Sequence, residues 1–259
     1  MMFNARMHDR TDASALPWLG PEDPFPSPAQ AWGRASQAPG LLAISSTVEA
    51  AQIEQAYRHG IFPWYSAGQP VLWWSPDPRM TLIPSDFRLH RSLRQSLRRW
   101  LAQDGVTLAF DRDFRQVMQR CAAQPREGQS GTWIVPEMVE AYCLLHRRGL
   151  AHSAELWRGN ELLAGLYFVA IGQAVFGESM FTTVRDGSKM ALCLLVSVAR
   201  KHGVPFIDCQ QNTRHLASLG ATEKPRAHFL EQVHGAIHEP PIDWAHETLY
   251  WQALKTSTP

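Results

Sequence analysis

Apolar positions along the chain fall into two rhythms. From Val48 to His59, VEAAQIEQAYRH places Val48, Ile53, Ala56 and Tyr57 on one helical face, closed by Gly60. Phe87 to Gln103 repeats that spacing with Leu89, Leu93, Leu97, Trp100 and Leu101. LAFDRDFRQVMQRCA predicts a short strand and then a helix on Phe114, Val117, Met118 and Cys121, and Pro136 opens a further helix ending at Gly149. From Ala151 the period shortens. AHSAELW, ELLAGLYFVAIG and QAVFGESMF read as an antiparallel meander, with a turn at Gly159-Asn160. An apolar helix from about Ser188 to His202 and a strand from Val204 to Cys209 follow, a strand–helix–strand unit of the length that parallel strands require. A short helix is expected around His215, Leu216 and Leu219. Strands that run together, then a helix and a further strand, predict an α+β fold.

Two stretches carry neither rhythm. Residues 1–39 are rich in Pro, Ala and polar residues, which predicts an extended, mobile arm. In IFPWYSAGQPVLWWSPDPRM four prolines forbid a long helix, so Trp64, Tyr65, Trp73 and Trp74 sit on strand and loop. Such a loop either stacks on a flat ligand or covers the core, and pattern alone leaves both open. Beyond Pro240 no pattern is legible.

The chain has 259 residues, enough for one large domain or two small ones. With 25 basic and 24 acidic residues it has no global attraction for nucleic acid, so any such binding needs a local patch. Phe87–Gln103 offers one, with five arginines and no acid. On a helix Arg91, Arg94 and Arg98 line one side, either a solvated face or a set of phosphate contacts. The four cysteines are scattered without a CxxC pair, which predicts reduced thiols and a cytoplasmic protein. Neither a signal peptide nor an apolar run of membrane-spanning length is read, so no membrane association is expected. The 11 histidines are dispersed and no HExxH occurs, so no metal and no cofactor are expected. GxxxxGK[ST], GxGxxG and GxSxG are also missing.

The candidate chemistry lies in the strand–helix–strand unit. Glu178 sits among Phe176, Met180 and Phe181, and Asp208 among Val204, Phe206 and Ile207. A carboxylate inside an apolar strand must be hydrogen-bonded, paired or used. A structural acid satisfied by backbone or arginine is one reading. Two such acids flanking one helix favour a site. Strict alternation puts Asp208 and Gln210 on one face, one pleat repeat of roughly 7 Å apart.

GIFPWYS, LWWSPDPRM, GTWIVPEMVEAY, GLAHSAELW, FGESMF, DGSKMAL, FIDCQ and HLASLGA occur in that order between Pro39 and Leu230. Together they resemble the bacterial leucyl/phenylalanyl-tRNA–protein transferases. Two positions depart from that pattern: Ile44-Ser45-Ser46-Thr47 stands where the family has a glycine pair, and Gly187 where it more often has alanine. The resemblance implies a small N-terminal domain (40–85) and a C-terminal domain of GNAT-like acyltransferase fold (86–235) that includes the basic helix 87–103; the arm (1–39) and a C-terminal tail (236–259) lie outside it. It also implies an activity, the movement of Leu or Phe, and Met less readily, from aminoacyl-tRNA to the N-terminal Arg or Lys of acceptor proteins, marking them for degradation.

On that basis Asp208, through Gln210, orients the attacking amine or takes its proton, or else only positions it while the tRNA ribose carries the proton. Glu178 attracts the acceptor's cationic side chain. Met180, Leu195 and Ile207 line the aminoacyl pocket, Trp64 and Trp133 stack the terminal adenine, and Arg91, Arg94 and Arg98 hold tRNA phosphates. Two alternatives stand beside this. One is an acyl-CoA-dependent N-acyltransferase, whose usual Arg/Gln-x-x-Gly-x-Gly/Ala turn does not match Arg185-Asp186-Gly187-Ser188-Lys189. The other is a non-catalytic RNA-binding module, which leaves the acids unexplained.

Overall fold

The computed structural model describes residues 16–124 and 134–254. The first strands, β1 (Trp18–Leu19), β2 (Leu41–Ser45), β3 (Phe62–Pro63) and β4 (Val71–Trp74), form a small sheet in the order β1-β2-β4-β3. Helix α1 (Ala50–Arg58) packs on it through Ile53, Ala56 and Tyr57, the face its spacing predicted. It ends before Gly60, whose φ of 67° and tight approach to Leu230, 2.4 Å from an added Cβ, exclude any other residue without rearrangement. In the stretch Ile44-Ser45-Ser46-Thr47, Ser45 ties the turn. Its hydroxyl donates to Thr47 O (2.8 Å) and accepts from Trp73 Nε1 (3.0 Å).

The second sheet collects the longer apolar runs: β5 (Arg79–Leu82), β6 (Val106–Phe110), β7 (Ala151–Arg158), β8 (Glu161–Ile171), β9 (Ala174–Thr182), β10 (Ile207–Gln210) and β11 (Thr222–Lys224). Its order is β11-β5-β10-β9-β8-β7-β6. β6 to β9 make the expected antiparallel meander. The crossover helix α5, after α2 (Arg91–Leu101), α3 (Phe114–Ala123) and α4 (Pro136–Arg147) in the chain, spans Gly187–Lys201 and delivers β10 parallel to β9. Odd positions of β8 (Tyr167, Val169, Ile171) pack towards α3 and α4, and even ones (Leu166, Phe168, Ala170) towards α5. Both faces are therefore covered, which is why β8 reads as one continuous apolar run. Helices α6 (Arg214–Ser218), α7 (Arg226–Ala236) and α8 (Trp251–Leu254) complete the described chain.

Three sequence expectations about domain limits change. The arm proposed for residues 1–39 is structured over its described part. β1 pairs in parallel with β2, and Trp32 N–H donates to Leu41 O at 2.8 Å. Strand β5, placed by sequence in the N-terminal unit 40–85, is instead a neighbour of β10 in the second sheet. The segment expected as a tail packs on the core over its described part, residues 236–254. Trp244 is buried against Phe168 (ring centroids 4.9 Å) and Phe110 (5.5 Å), and Leu254 of α8 is buried in the same core. Two-residue strands and single aromatic anchors carry no periodicity, so pattern cannot reveal them. Trp73, left open between stacking surface and core, is core: fully buried, with Phe25 edge-on at 4.8 Å.

Replacing Trp244 with Ala is expected to lower stability by about 3–5 kcal/mol in urea unfolding, the cost typical of a buried aromatic. A loose tail would leave the unfolding midpoint unchanged.

Candidate active site

Parallel strands β9 and β10 pair at only two positions, Ile207 with Val175 and Asp208 with Phe176. Each then carries a bulge. The β8–β9 register slips between Gly177 and Ser179, which makes Glu178 the extra residue, and the β10–β5 register slips between Asp208 and Gln210, leaving Cys209 extra. A bulge bends its strand and sharpens the twist, so two at one level part the strands. Between them lies a cavity of about 290 Å³. Gly177, Glu178, Asp208 and Gln210 form its polar side, and Met180, Leu192, Leu195, Ile207 and Leu216 its apolar wall. That volume sits at the small end of ligand pockets (~300–1,000 Å³), the scale of one amino-acid side chain.

Asp208 is fully buried and paired with Arg79, itself fully buried. Arg79 Nε donates to Oδ1 at 2.8 Å and its NH2 nitrogen to Oδ2 at 2.7 Å. Gln210 adds its backbone N–H to Oδ1 (3.0 Å) and Nε2–H to Oδ2 (3.3 Å). The four acceptor positions of the carboxylate are thereby filled. Gln210 lies beside Asp208 as expected, but for a different reason. The bulge and a left-handed backbone at Gln210 (φ 55°) bring it there, not pleat alternation.

Glu178 has no such cation. Its Oε2 accepts from Tyr142 O–H at a long 3.5 Å, and the Tyr142 and Tyr57 hydroxyls are 2.6 Å apart. Its Oε1 is sealed from solvent, with no hydrogen-bond partner among the described residues. Burial, reinforced by the Asp208 charge, pushes its carboxyl up to about 8 against the pull of Tyr57, Arg79 and Tyr142. Burial, and then Glu178, likewise raises Tyr57 and Tyr142 well above the usual phenol range. Cys209 lines the cavity, but enclosure by protein pushes its thiol up, which argues against a thiolate nucleophile.

A profile for leucyl/phenylalanyl-tRNA protein transferase matches residues 81–234, and one for the N-terminal domain of the same transferases matches residues 48–77. The chain belongs to this family. A leucyl/phenylalanyl-tRNA–protein transferase of Paraburkholderia phytofirmans is 54% identical over 229 residues, 88% of this chain and 94% of that protein. One from Polaromonas sp. is 51% identical over 242 residues, 93% and 95% of the two chains. One from Burkholderia multivorans is 51% identical over 243 residues, 94% and 96%.

In this member of the transferase family, Glu178, Asp208, Gln210, Met180, Leu195 and Ile207 surround one cavity. Trp64 does not line it; it packs against Trp74 (5.8 Å, tilted), whose Nε1–H donates to the Trp64 carbonyl. Trp133 lies outside the described residues. Arg91 and Arg98 are exposed on α2 and Arg94 is half-buried, with no carboxylate within 4.0 Å of any of them among the described residues. α2 begins at Arg91 rather than Phe87 and buries Leu93 and Leu97. Ser96 Oγ–H donates to Asp186 (2.9 Å), which also holds Lys189 (2.9 Å), so the basic helix is anchored at the start of α5. Leu192 of the cavity wall lies six residues further, ~9 Å along that helix.

Sequence reasoning missed Arg79, Tyr57, Tyr142 and Leu192. Arg79 was readable by the test applied to the acids, a charge at the head of the apolar run RMTLI. The tyrosines sit on helices and no local pattern aims them at Glu178. The histidines are also less dispersed in space than in sequence. His146 and His152 converge with Asp111, their ligand-type atoms all within 4.8 Å. His152 Nδ1 is 2.7 Å from Asp111 Oδ2, and His146 Nδ1 is 2.8 Å from Ala151 O, so this cluster is already internally hydrogen-bonded. No helix among the described residues is long and apolar enough to cross a membrane.

Because Glu178 keeps its proton in the folded state up to about 8, while an unfolded carboxyl loses it near 4.5, the folded state binds more protons between those values. Stability should therefore fall as pH rises through that window, by at most ~1.4 kcal/mol per pH unit. Glu178→Gln is expected to flatten the dependence in urea unfolding between pH 5 and 8; an unchanged slope would show that Glu178 titrates normally.

Proposed function

We propose that this chain transfers leucine or phenylalanine, and methionine less readily, from aminoacyl-tRNA onto the N-terminal Arg or Lys of acceptor proteins, marking them for degradation. The observation that carries this reading is the gap between β9 and β10, where an apolar slot and two acids meet. An amine nitrogen attacks the ester carbonyl, the bond to the terminal ribose oxygen breaks, and an amide forms. The ammonium, with a free pKa near 8, first gives up one proton to solvent; the nitrogen loses a second after attack, and the departing ribose oxygen takes it. Leu, Phe and Met share an unbranched Cβ and apolar bulk, which suits a slot bounded by Met180, Leu195 and Ile207. Such a slot separates close apolar analogues by only ~1–3 kcal/mol.

Asp208 positions in this scheme and does not take the proton. Its acceptor positions are filled by Arg79 and Gln210, which supports contact with the amine through Gln210 alone. Glu178 receives the acceptor's cationic side chain, because a sealed carboxyl without a cation gains most from one that enters. Trp64 and Trp133 stack the terminal adenine, and Arg91, Arg94 and Arg98 hold acceptor-stem phosphates.

Incubation of the protein with Phe-tRNA and an Arg-initiated peptide, without CoA, ATP or metal, should yield the Phe-extended peptide, and an Ala-initiated peptide should react poorly. Equal reaction of both peptides would remove the role given to Glu178; no product from either would remove the proposed activity. Changing Arg91, Arg94 and Arg98 together to Gln should weaken binding of all tRNAs alike. It should also flatten the salt dependence by roughly one unit of log–log slope per lost phosphate contact. An unchanged slope would place the tRNA elsewhere.

A further inference from the structure

We infer that Arg79 is a positioning residue for the transfer: through Asp208 it fixes the carboxamide of Gln210 so that the acceptor end, Oε1, is turned to the incoming amine. The inference rests on the reading that transfer takes place at this cavity.

Arg79 lies behind the cavity, not on it, since the lining passes from Asp208 to Gln210 without it. Its guanidinium is held on every side. Two nitrogens grip Asp208, the third donates to Gly60 O at 3.2 Å, and the rings of Phe62 and Phe229 cover its two faces at 4.7 and 4.6 Å. A planar fork clamped in this way fixes the rotation of the carboxylate as well as its position. A carboxylate accepts hydrogen bonds and cannot donate them. The Gln210 carboxamide must therefore turn Nε2 towards Asp208, which leaves Oε1 as its free end. The Gln210 backbone N–H bonds to the same carboxylate and holds a left-handed conformation that a residue with a Cβ avoids. Backbone and side chain of Gln210 thus both take their orientation from one carboxylate, and that carboxylate takes its own from Arg79. An amine N–H meeting Oε1 is aligned for attack, and no proton need pass to Asp208.

Arg79→Lys keeps the charge but replaces the fork with a single point of contact. In the Phe-tRNA and Arg-peptide assay it should lower kcat by about a hundredfold, the scale of an ångström-level misplacement, while KM for aminoacyl-tRNA stays within about twofold. The decisive comparison is with Gln210→Ala. If Arg79 acts through Gln210, adding Arg79→Lys to Gln210→Ala costs no further kcat, whereas a merely structural role multiplies the two losses. Should Arg79→Lys not fold, Phe229→Leu, which strips one ring from the guanidinium and leaves the ion pair, carries the same test with a smaller loss. A folded variant with unchanged kcat, or a loss that multiplies with that of Gln210→Ala, overturns the inference. A wild-type protein that makes no Phe-extended peptide overturns the transfer reading instead.

Discussion

The buried pair of Arg79 and Asp208 is the contact on which the site depends. Each charge is sealed from water, and either one left alone would cost several kcal/mol. The pair is tolerable because every polar atom in it is answered: two charge-assisted bonds between the partners, one to Gly60 O, and two from Gln210. Those answers come from distant stretches of chain. Gly60 closes α1, Phe62 belongs to the small sheet, Phe229 to α7, and Asp208 to β10. The small sheet and the large one are joined at this point, which is why a boundary drawn at residue 85 cuts through the structure.

Around that anchor the large sheet comes apart locally. β9 and β10 hold together for two residue pairs and then bulge, one at Glu178 and one at Cys209. The extra residues of the two bulges, Glu178 and Cys209, both line the cavity. The polar side of the cavity comes from the parted strands, and its apolar side from those same strands together with α5 and α6, so the gap in pairing brings apolar side chains and the two acids around one space. The start of α5, tied to the basic helix by Asp186, connects this slot to the exposed arginines.

The two acids have opposite electrostatic fates although they are close neighbours. Asp208 is matched to a cation of the fold. Glu178 has only phenol hydroxyls and one unanswered oxygen, so burial favours its neutral form. One carboxylate is thus locked to a buried arginine, while the other keeps an oxygen without a hydrogen-bond partner among the described residues.

Periodicity in the sequence determined the meander, the crossover helix, the α1 and α2 faces and the parallel approach of β10, because each is a repeat of local spacing. The same local logic picked out Glu178 and Asp208, since charge inside an apolar strand is visible wherever the strand ends up. Only the tertiary structure decided their partners. Arg79 is 129 residues from Asp208 in sequence, and Tyr57 is 85 from Tyr142. The bulges that place Glu178 and Gln210 were also invisible, because each arises from a mismatch between two strands and neither strand records it alone. Anchors such as Trp18–Leu19 and Trp244 went unread for a related reason. A single contact made across the fold leaves no repeat in the chain that makes it.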